Sequence, residues 1–246
     1  MIRLLHLFPE LMNLYGEYAN LLVLQKAIHL MGVDAKIVAM DDPSDIDITA
    51  FDFLYIGAGT ERKVELAAEK LNGIAQSIRS AANDGMPMLF TGSASELMCK
   101  QIITAQKTIP AIGYFDAVVR RTDDRQTGDV NYSCPLSEKS VVGFINKSGF
   151  VSSREPFLFS SEFGPGSVEV NGSADGTSEG FMRNNVIATY LTGPILVKNP
   201  WLKRYFAEKI ISRIMPEKTL KPFDDVYAEK GWWITVEELT KRKNQH

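Results

Sequence analysis

An α/β fold with a mainly parallel sheet covered on both faces is predicted by two features of the sequence. Short apolar runs alternate with longer runs whose apolar residues recur at helical spacing, and the turns between them carry glycine and proline. Ile2–Leu7 reads as a buried strand. Beyond a loop over residues 9–16, the set Leu21, Leu22, Leu24, Ile28 and Leu30 marks a helix that Gly32 stops. Residues 35–39 and Phe53–Ile56 form the next two strands, the second running into Gly57-Ala58-Gly59. Val64, Ala67, Ala68, Leu71, Ile74, Ala75 and Ile78 fall on one face of a single helix over 61–83. Gly85-Met86-Pro87 turns the chain into the strand Met88–Thr91, and a helix opens near Gly92-Ser93.

The middle of the chain is more β-like. Short strands are expected at 115–121, 141–144 and 157–160, followed by a long Gly- and Ser-rich loop over 162–179. Residues 186–190 return as a strand ahead of Thr192-Gly193-Pro194. A helix over 201–215 follows Asn199-Pro200. Thr235 and Glu238 have capping-box spacing and are expected to start a short terminal helix. Without an internal repeat or a clear linker, the expected division is one domain over 1–215 and an irregular C-terminal tail over 216–246.

Composition removes several classes of function. The 246 residues are 45% hydrophobic and 23% charged, close to the globular average and unlike a disordered or fibrous chain. No apolar run approaches the ~20 residues that span a bilayer. Pro9 and Glu10 cut the opening apolar run too early for a secretory leader, so a cytoplasmic location without a membrane span is expected. With 27 basic and 30 acidic residues the net charge is −3. The basic run Lys241-Arg242-Lys243 suits a helix end, so no nucleic-acid partner is expected. Cys99, Cys134, His6, His29 and His246 lack metal-ligand spacing, so neither a metal nor a cofactor is expected.

In open parallel sheets, ligands gather at the carboxyl ends of the strands. Three segments fall there: 57–60, 91–95 and 192–194. Each glycine taken singly is explained by a tight strand-to-helix turn, but three such turns on one edge point to a pocket.

The residues around these turns resemble class I glutamine amidotransferase-like domains of the cobyric acid synthase (CobB/CobQ) type. Within that group they most resemble the GatD-type glutaminase subunits of lipid II isoglutaminyl synthase. The opening motif Leu7-Phe8-Pro9-Glu10-Leu11-Met12-Asn13-Leu14-Tyr15-Gly16 with Asn20 is similar to the group's own, and Gly85-Met86-Pro87-Met88-Leu89 to the approach to its nucleophile turn. Gly57-Ala58-Gly59 resembles the loop that supplies an oxyanion-hole amide. Gly143-Phe144 with Asn146 resembles a Gly-Phe-Glu-Asn-His segment. The run Ala188 to Pro194, with Lys198-Asn199-Pro200, resembles Gly-Thr-Tyr-Leu-His-Gly-Pro and Lys-Asn-Pro. The likeness runs in order over about residues 4–210 and implies a flavodoxin-like three-layer fold.

The resemblance implies attack of a Cys thiolate on the glutamine side-chain amide, a His base, backbone amides for the oxyanion, and transfer of ammonia to a synthetase partner. The expected turn is Cys-Gly-Gly-Tyr-Gln, whereas this chain has Gly92-Ser93-Ala94-Ser95-Glu96. Gly92 stands at the Cys position and Thr192 at the His position, so no intact catalytic dyad is expected. Substitute groups are Ser93, one position late in an elbow-like Thr91-Gly92-Ser93-Ala94-Ser95, with His6 as base, and Cys99, expected two turns into the next helix and more in keeping with a buried structural thiol. Gly57, Ala58, Gly59, Ser93 and Arg125 are the candidate ligand contacts. Arg125 with Gly128 resembles the segment whose Arg holds the glutamine α-carboxylate, and is equally consistent with a surface arginine. Lys147, where the family motif has a His, reads as a solvated loop charge, and Glu96 as a carboxylate at a helix start filling space left by the dyad.

Three functions follow. The first is a non-catalytic subunit that binds a Mur-ligase-like synthetase, to whose surface Tyr114, Phe115, Trp232 and Trp233 could contribute. The second is an active glutaminase with a relocated nucleophile, serving such a synthetase or a cobyric-acid-synthase-like one. The third is a sensor that binds glutamine or another amino acid without turnover.

Overall fold

A strand buried on both faces has no polar side, and this chain places several such strands side by side. The computed structural model describes residues 1–170, 173–174 and 177–245. The parallel unit comprises β1 (Ile2–Leu7), α1 (Ala19–Leu30), β2 (Ala35–Met40), β3 (Phe53–Ile56), α2 (Glu61–Leu71), α3 (Ala75–Asn83) and β4 (Met88–Thr91). After it come β5 (Gln101–Ile103), β6 (Thr108–Pro110), the long ribbon β7 (Ala117–Cys134) and β8 (Ser137–Ser153), and β9 (Phe157–Phe163). β10 (Glu169–Val170), β11 (Ser173–Ala174), β12 (Ser178–Arg183), β13 (Val186–Thr189), α4 (Ile195–Lys198), α5 (Pro200–Ile214) and α6 (Val226–Lys243) complete the chain.

The sheet has eleven strands in the order β2-β1-β3-β4-β13-β12-β9-β7-β5-β6, with β8 paired to β7. The pairs from β2 to β13 are parallel, and β3, β4 and β13 are buried at every position. Because side chains alternate between faces, full burial means both faces of these strands are covered. β12, β9 and β7 continue the sheet antiparallel. The expected fold class therefore holds, with the site edge formed where β1, β3, β4 and β13 all end.

Four expectations need correction. The helix expected over 61–83 breaks into α2 and α3 at a 3₁₀ turn over Asn72–Ile74, where Gly73 weakens the helix. The strands expected at 115–121 and 141–144 are parts of the much longer β7 and β8, the middle of β7 being exposed and polar and lacking an apolar pattern. The one expected at 157–160 extends to Phe163 as β9. The segment expected as a loop over 162–179 carries the end of β9, β10, β11 and the start of β12, apart from residues 171–172 and 175–176, which lie outside the described residues. The terminal helix starts at Val226, not Thr235, and is 18 residues long. The Thr235 hydroxyl instead donates to the Gly231 carbonyl one turn back, at 2.9 Å. This helix packs against Val142 through Trp232 and Leu239, forming a second small core. On the same helix Tyr227 is 92% and Trp233 60% exposed. Of the four aromatics considered for a partner surface, Tyr114, Phe115 and Trp232 are buried.

Candidate functional site

β4 ends in a sharp turn at Gly92, whose φ is +58°, the left-handed conformation that a nucleophile elbow imposes on its tip residue. A Cβ placed on Gly92 would lie 3.7 Å from the Thr192 Cβ, so two positions 100 residues apart in the chain face each other across the sheet edge. The strained tip is Gly92 and not Ser93. Ser93 is the next residue, in a 3₁₀ turn over Gly92–Met98. Its hydroxyl donates to the Gly59 carbonyl at 2.7 Å and accepts from the Gly59 N–H at 3.0 Å. The helix expected after Gly92 is thus one short 3₁₀ segment, and Cys99 caps its end instead of lying two turns inside a helix. Burial pushes the Cys99 thiol far above the usual range, and the nearby Glu96 carboxylate adds to the shift, so it remains a thiol.

His6 lies within β1, buried, with its ring 5.4 Å from that of Tyr55 and its Nε2 without a hydrogen-bond partner. Burial lowers its pKa to about 4, partly opposed by Asp41. The imidazole is neutral near pH 7 but is not hydrogen-bonded to Ser93, as a base for that hydroxyl would be.

Thr192 is positioned from two sides. Its backbone exchanges hydrogen bonds with Phe144 of β8, and its hydroxyl donates to Glu17 Oε1 at 2.6 Å. Glu17 is fully buried and collects further donors: Gly193 N–H at 2.8 Å on Oε1, and on Oε2 the Tyr55 hydroxyl at 2.9 Å, Asn20 Nδ2 at 3.3 Å and the Thr91 hydroxyl. All five donors are neutral, and they come from the ends of β3, β4 and β13 and from α1. Glu17 is therefore the hub of this edge. The sequence reading missed it: the opening motif stops at Gly16, and the partners of Glu17 lie 38, 74 and 175 residues away.

A second buried carboxylate approaches from the other side. Glu96 Oε2 accepts from Arg121 Nε at 3.0 Å and Nη2 at 2.7 Å, and its Oε1 accepts from the Tyr190 hydroxyl at 3.1 Å. Burial raises the Glu96 pKa, and the Arg121 guanidinium pulls it back. Lys147 is also buried, at 3% exposure, which corrects the expectation of a solvated charge. Its Nζ donates to the Gly149 carbonyl at 3.1 Å and sits 4.3 Å from the centre of the Phe150 ring. Burial lowers its pKa to about 8, partly opposed by Glu179 and Glu96.

Glu96 and Thr192, the latter held by Glu17, line a cavity of about 210 Å³ together with residues from both halves, including Tyr15, Gly59, Gly92, Ser93, Arg125 and Asn146. Arg125 stands half-exposed at its rim, paired with Glu61 and donating to Asn146 Oδ1 at 2.8 Å, while Asn146 Nδ2 donates to the Tyr15 hydroxyl at 2.8 Å. The candidate contacts Gly59, Ala58, Ser93 and Arg125 all line this cavity, whereas Gly57 packs behind it against Glu17 and Met12.

A family profile of the CobB/CobQ-like glutamine amidotransferase domain matches residues 3–200. The chain belongs to this family. It is 28% identical over 209 residues to a subunit of Staphylococcus aureus named lipid II isoglutaminyl synthase (glutamine-hydrolyzing) subunit GatD, covering 85% of this chain and 84% of that one. The Streptococcus pneumoniae subunit of the same name is 25% identical over 240 residues, 93% of this chain and 88% of the relative. Among solved structures, a glutamine amidotransferase superposes with a TM-score of 0.54 at 17% identity, over 85% of this chain and 99% of the other. At that identity the superposition speaks for the fold. Among the described residues, no helix is long and apolar enough to cross a membrane.

Proposed function

We propose that this chain is a glutamine amidotransferase-like subunit that no longer hydrolyses glutamine and acts by binding a synthetase-type partner in the cytoplasm. One observation carries the reading: the residue at the elbow tip, facing Thr192, is a glycine, so the position from which a nucleophile would attack has no side chain. A threonine hydroxyl committed to Glu17 is no base near pH 7. The substitutes are also engaged, Ser93 on Gly59 and Cys99 in the core. The relatives are subunits by name, which supports a partner, and the likeness to GatD favours one resembling a Mur ligase in cell-wall synthesis over one from cobalamin synthesis.

The test is ammonia release from glutamine by the purified chain, alone and with the proteins that co-purify from its own cells. Release no greater than from a heat-killed control is the expected result. Release that disappears in Ser93→Ala would overturn the reading and make Ser93 the nucleophile.

The cavity favours a second reading, an amino-acid sensor. Arg125 is of the right type to take a carboxylate, and about 210 Å³ is open beside it. Calorimetric titration with glutamine should then show binding that weakens at least ~10-fold in Arg125→Ala, the loss of one charge-assisted contact.

A further inference from the structure

The Gly57-Ala58-Gly59 loop and the elbow meet at a single point. A Cβ built on Gly92 would stand 2.6 Å from the Ala58 Cβ, closer than two carbon atoms approach without displacement. We propose that the Ala58 methyl occupies the seat of any side chain at position 92, so that Ala58 and Gly92 together, and not Gly92 alone, exclude a nucleophile from the elbow. This rests on the silent-subunit reading for its meaning, but the contact itself is independent of it.

Whether the clash could be relieved depends on the give in each loop, and both are held. On one side, the Ala58 carbonyl accepts from Leu14 N–H at 2.9 Å, and Gly59 is tied at both its N–H and its carbonyl to Ser93. The flanking glycines are pressed from behind: a Cβ on Gly57 would lie 2.9 Å from the Glu17 Cβ, and one on Gly59 would lie 2.4 Å from Met12 Sδ. The loop cannot retreat from the elbow without driving into Met12 and Glu17. On the other side, Gly92 N–H donates to the Leu191 carbonyl at 3.0 Å, and the Gly92 carbonyl accepts from the Ser95 hydroxyl at 2.8 Å. Ala58 itself is 2% exposed. The three-residue loop therefore has glycine where Met12 and Glu17 press on it, and a methyl where the elbow has a hydrogen atom. A side chain at 92 and a methyl at 58 exclude each other. Returning a nucleophile to this elbow thus requires glycine at 58 as well.

A thermal-denaturation cycle on the full chain tests this with Gly92→Ala, Ala58→Gly and their combination. Position 92 keeps its positive φ in both backgrounds, so the cycle cancels that strain and isolates the contact. Gly92→Ala in the natural background should lower Tm by about 10 °C, and in the Ala58→Gly background by less than half as much. Equal losses in the two backgrounds would overturn the proposal. A second measurement covers a Gly92→Ala chain that does not fold. Gly92→Cys combined with Ala58→Gly should fold and present a thiol that iodoacetamide alkylates at least ~10-fold faster than the buried Cys99 and Cys134 of the natural chain. Failure of this combination to fold, or a thiol no faster than those two, also overturns it. Neither measurement reads glutamine hydrolysis, so ammonia release by the natural chain would sink the silent-subunit reading and leave the contact standing.

Discussion

Two buried carboxylates flank the site edge and are held by different means: Glu17 within the parallel half, behind the Thr192 wall of the cavity, and Glu96 just after β4, lining the cavity and clamped by Arg121 of the β7–β8 ribbon. Glu17, at the parallel edge, is surrounded by hydroxyls, an amide and a backbone N–H. Glu96, in the turn after β4, is held by the guanidinium of Arg121 from the ribbon and one hydroxyl, with Glu65 sharing Arg121 at 3.1 Å. A carboxyl group held by several neutral donors is part of a polar network whose members share it, whereas a buried ion pair can be exchanged for an apolar pair. The edge should therefore be intolerant of change at Glu17, and tolerant of a matched exchange of Glu96 with Arg121.

The largest effect should come from Glu17→Ala, which removes the shared acceptor of five donors. It leaves the Thr192 hydroxyl and the Gly193 N–H without that acceptor, while Tyr55, Asn20 and Thr91 keep one another and the Glu17 carbonyl. A loss of about 4 kcal/mol or more in urea unfolding is expected. A loss under about 1 kcal/mol would remove Glu17 from the centre of the edge. Next, Glu96→Leu leaves the buried Arg121 guanidinium with only one of its carboxylates, Glu65, and the Glu61 carbonyl, and should lose about 3 kcal/mol, while Glu96→Leu with Arg121→Leu should return most of it. If the double variant is as unstable as the single, the two carboxylates are alike and the comparison fails.

The two halves should also respond to pH with opposite sign. His6 in the parallel half has its folded pKa lowered to about 4 by burial, from 6.5. Between those values the unfolded chain carries the extra proton, so stability is lost as pH falls from 6.5 to 4, by about 3 kcal/mol for that shift. Glu179 in the antiparallel half has its folded pKa raised to about 7 by burial, from 4.5, partly opposed by its hydrogen bonds from Thr189 and Tyr190. There the folded chain holds the extra proton, so stability falls as pH rises from 4.5 to 7. Urea midpoints across pH 4–7 should lose the first slope in His6→Phe and the second in Glu179→Gln. A slope that survives its own substitution identifies the wrong group. The smallest effect is at the rim: Arg125→Ala removes a half-exposed pair with Glu61 and should change unfolding free energy by less than about 1 kcal/mol.

Legibility in the sequence follows the same division. Ile2–Leu7, Phe53–Ile56 and Met88–Thr91 are found at their expected bounds because central parallel strands are unbroken apolar runs between glycine-rich turns. Gly92 and Thr192 were picked from motif likeness, and the structure sets them face to face. The ribbon reads as fragments because the middle of β7, from Thr122 to Gly128, is polar and solvent-facing and its pairing to β8 is interrupted between Arg121 and Gln126, so that part of a long strand looks like a turn. Lys147 was misplaced for a related reason: a lysine in a polar run looks solvated until Phe150 and Tyr190 are seen to cover it. Glu17 gave no signal, since one glutamate in a loop looks like any other.

By itself the sequence determined the fold class, the family likeness, the three glycine-bearing turns and the absence of a Cys and a His where that likeness expects them. These are local properties, carried by the hydrophobicity and backbone freedom of consecutive residues. Only the tertiary structure decided that Glu17 gathers the ends of three strands, that Glu96 and Lys147 are buried, and that the Ala58 methyl fills the space in front of Gly92. Each of these depends on atoms brought within a few ångströms by segments far apart in the chain, and no property of either segment alone encodes the distance between them.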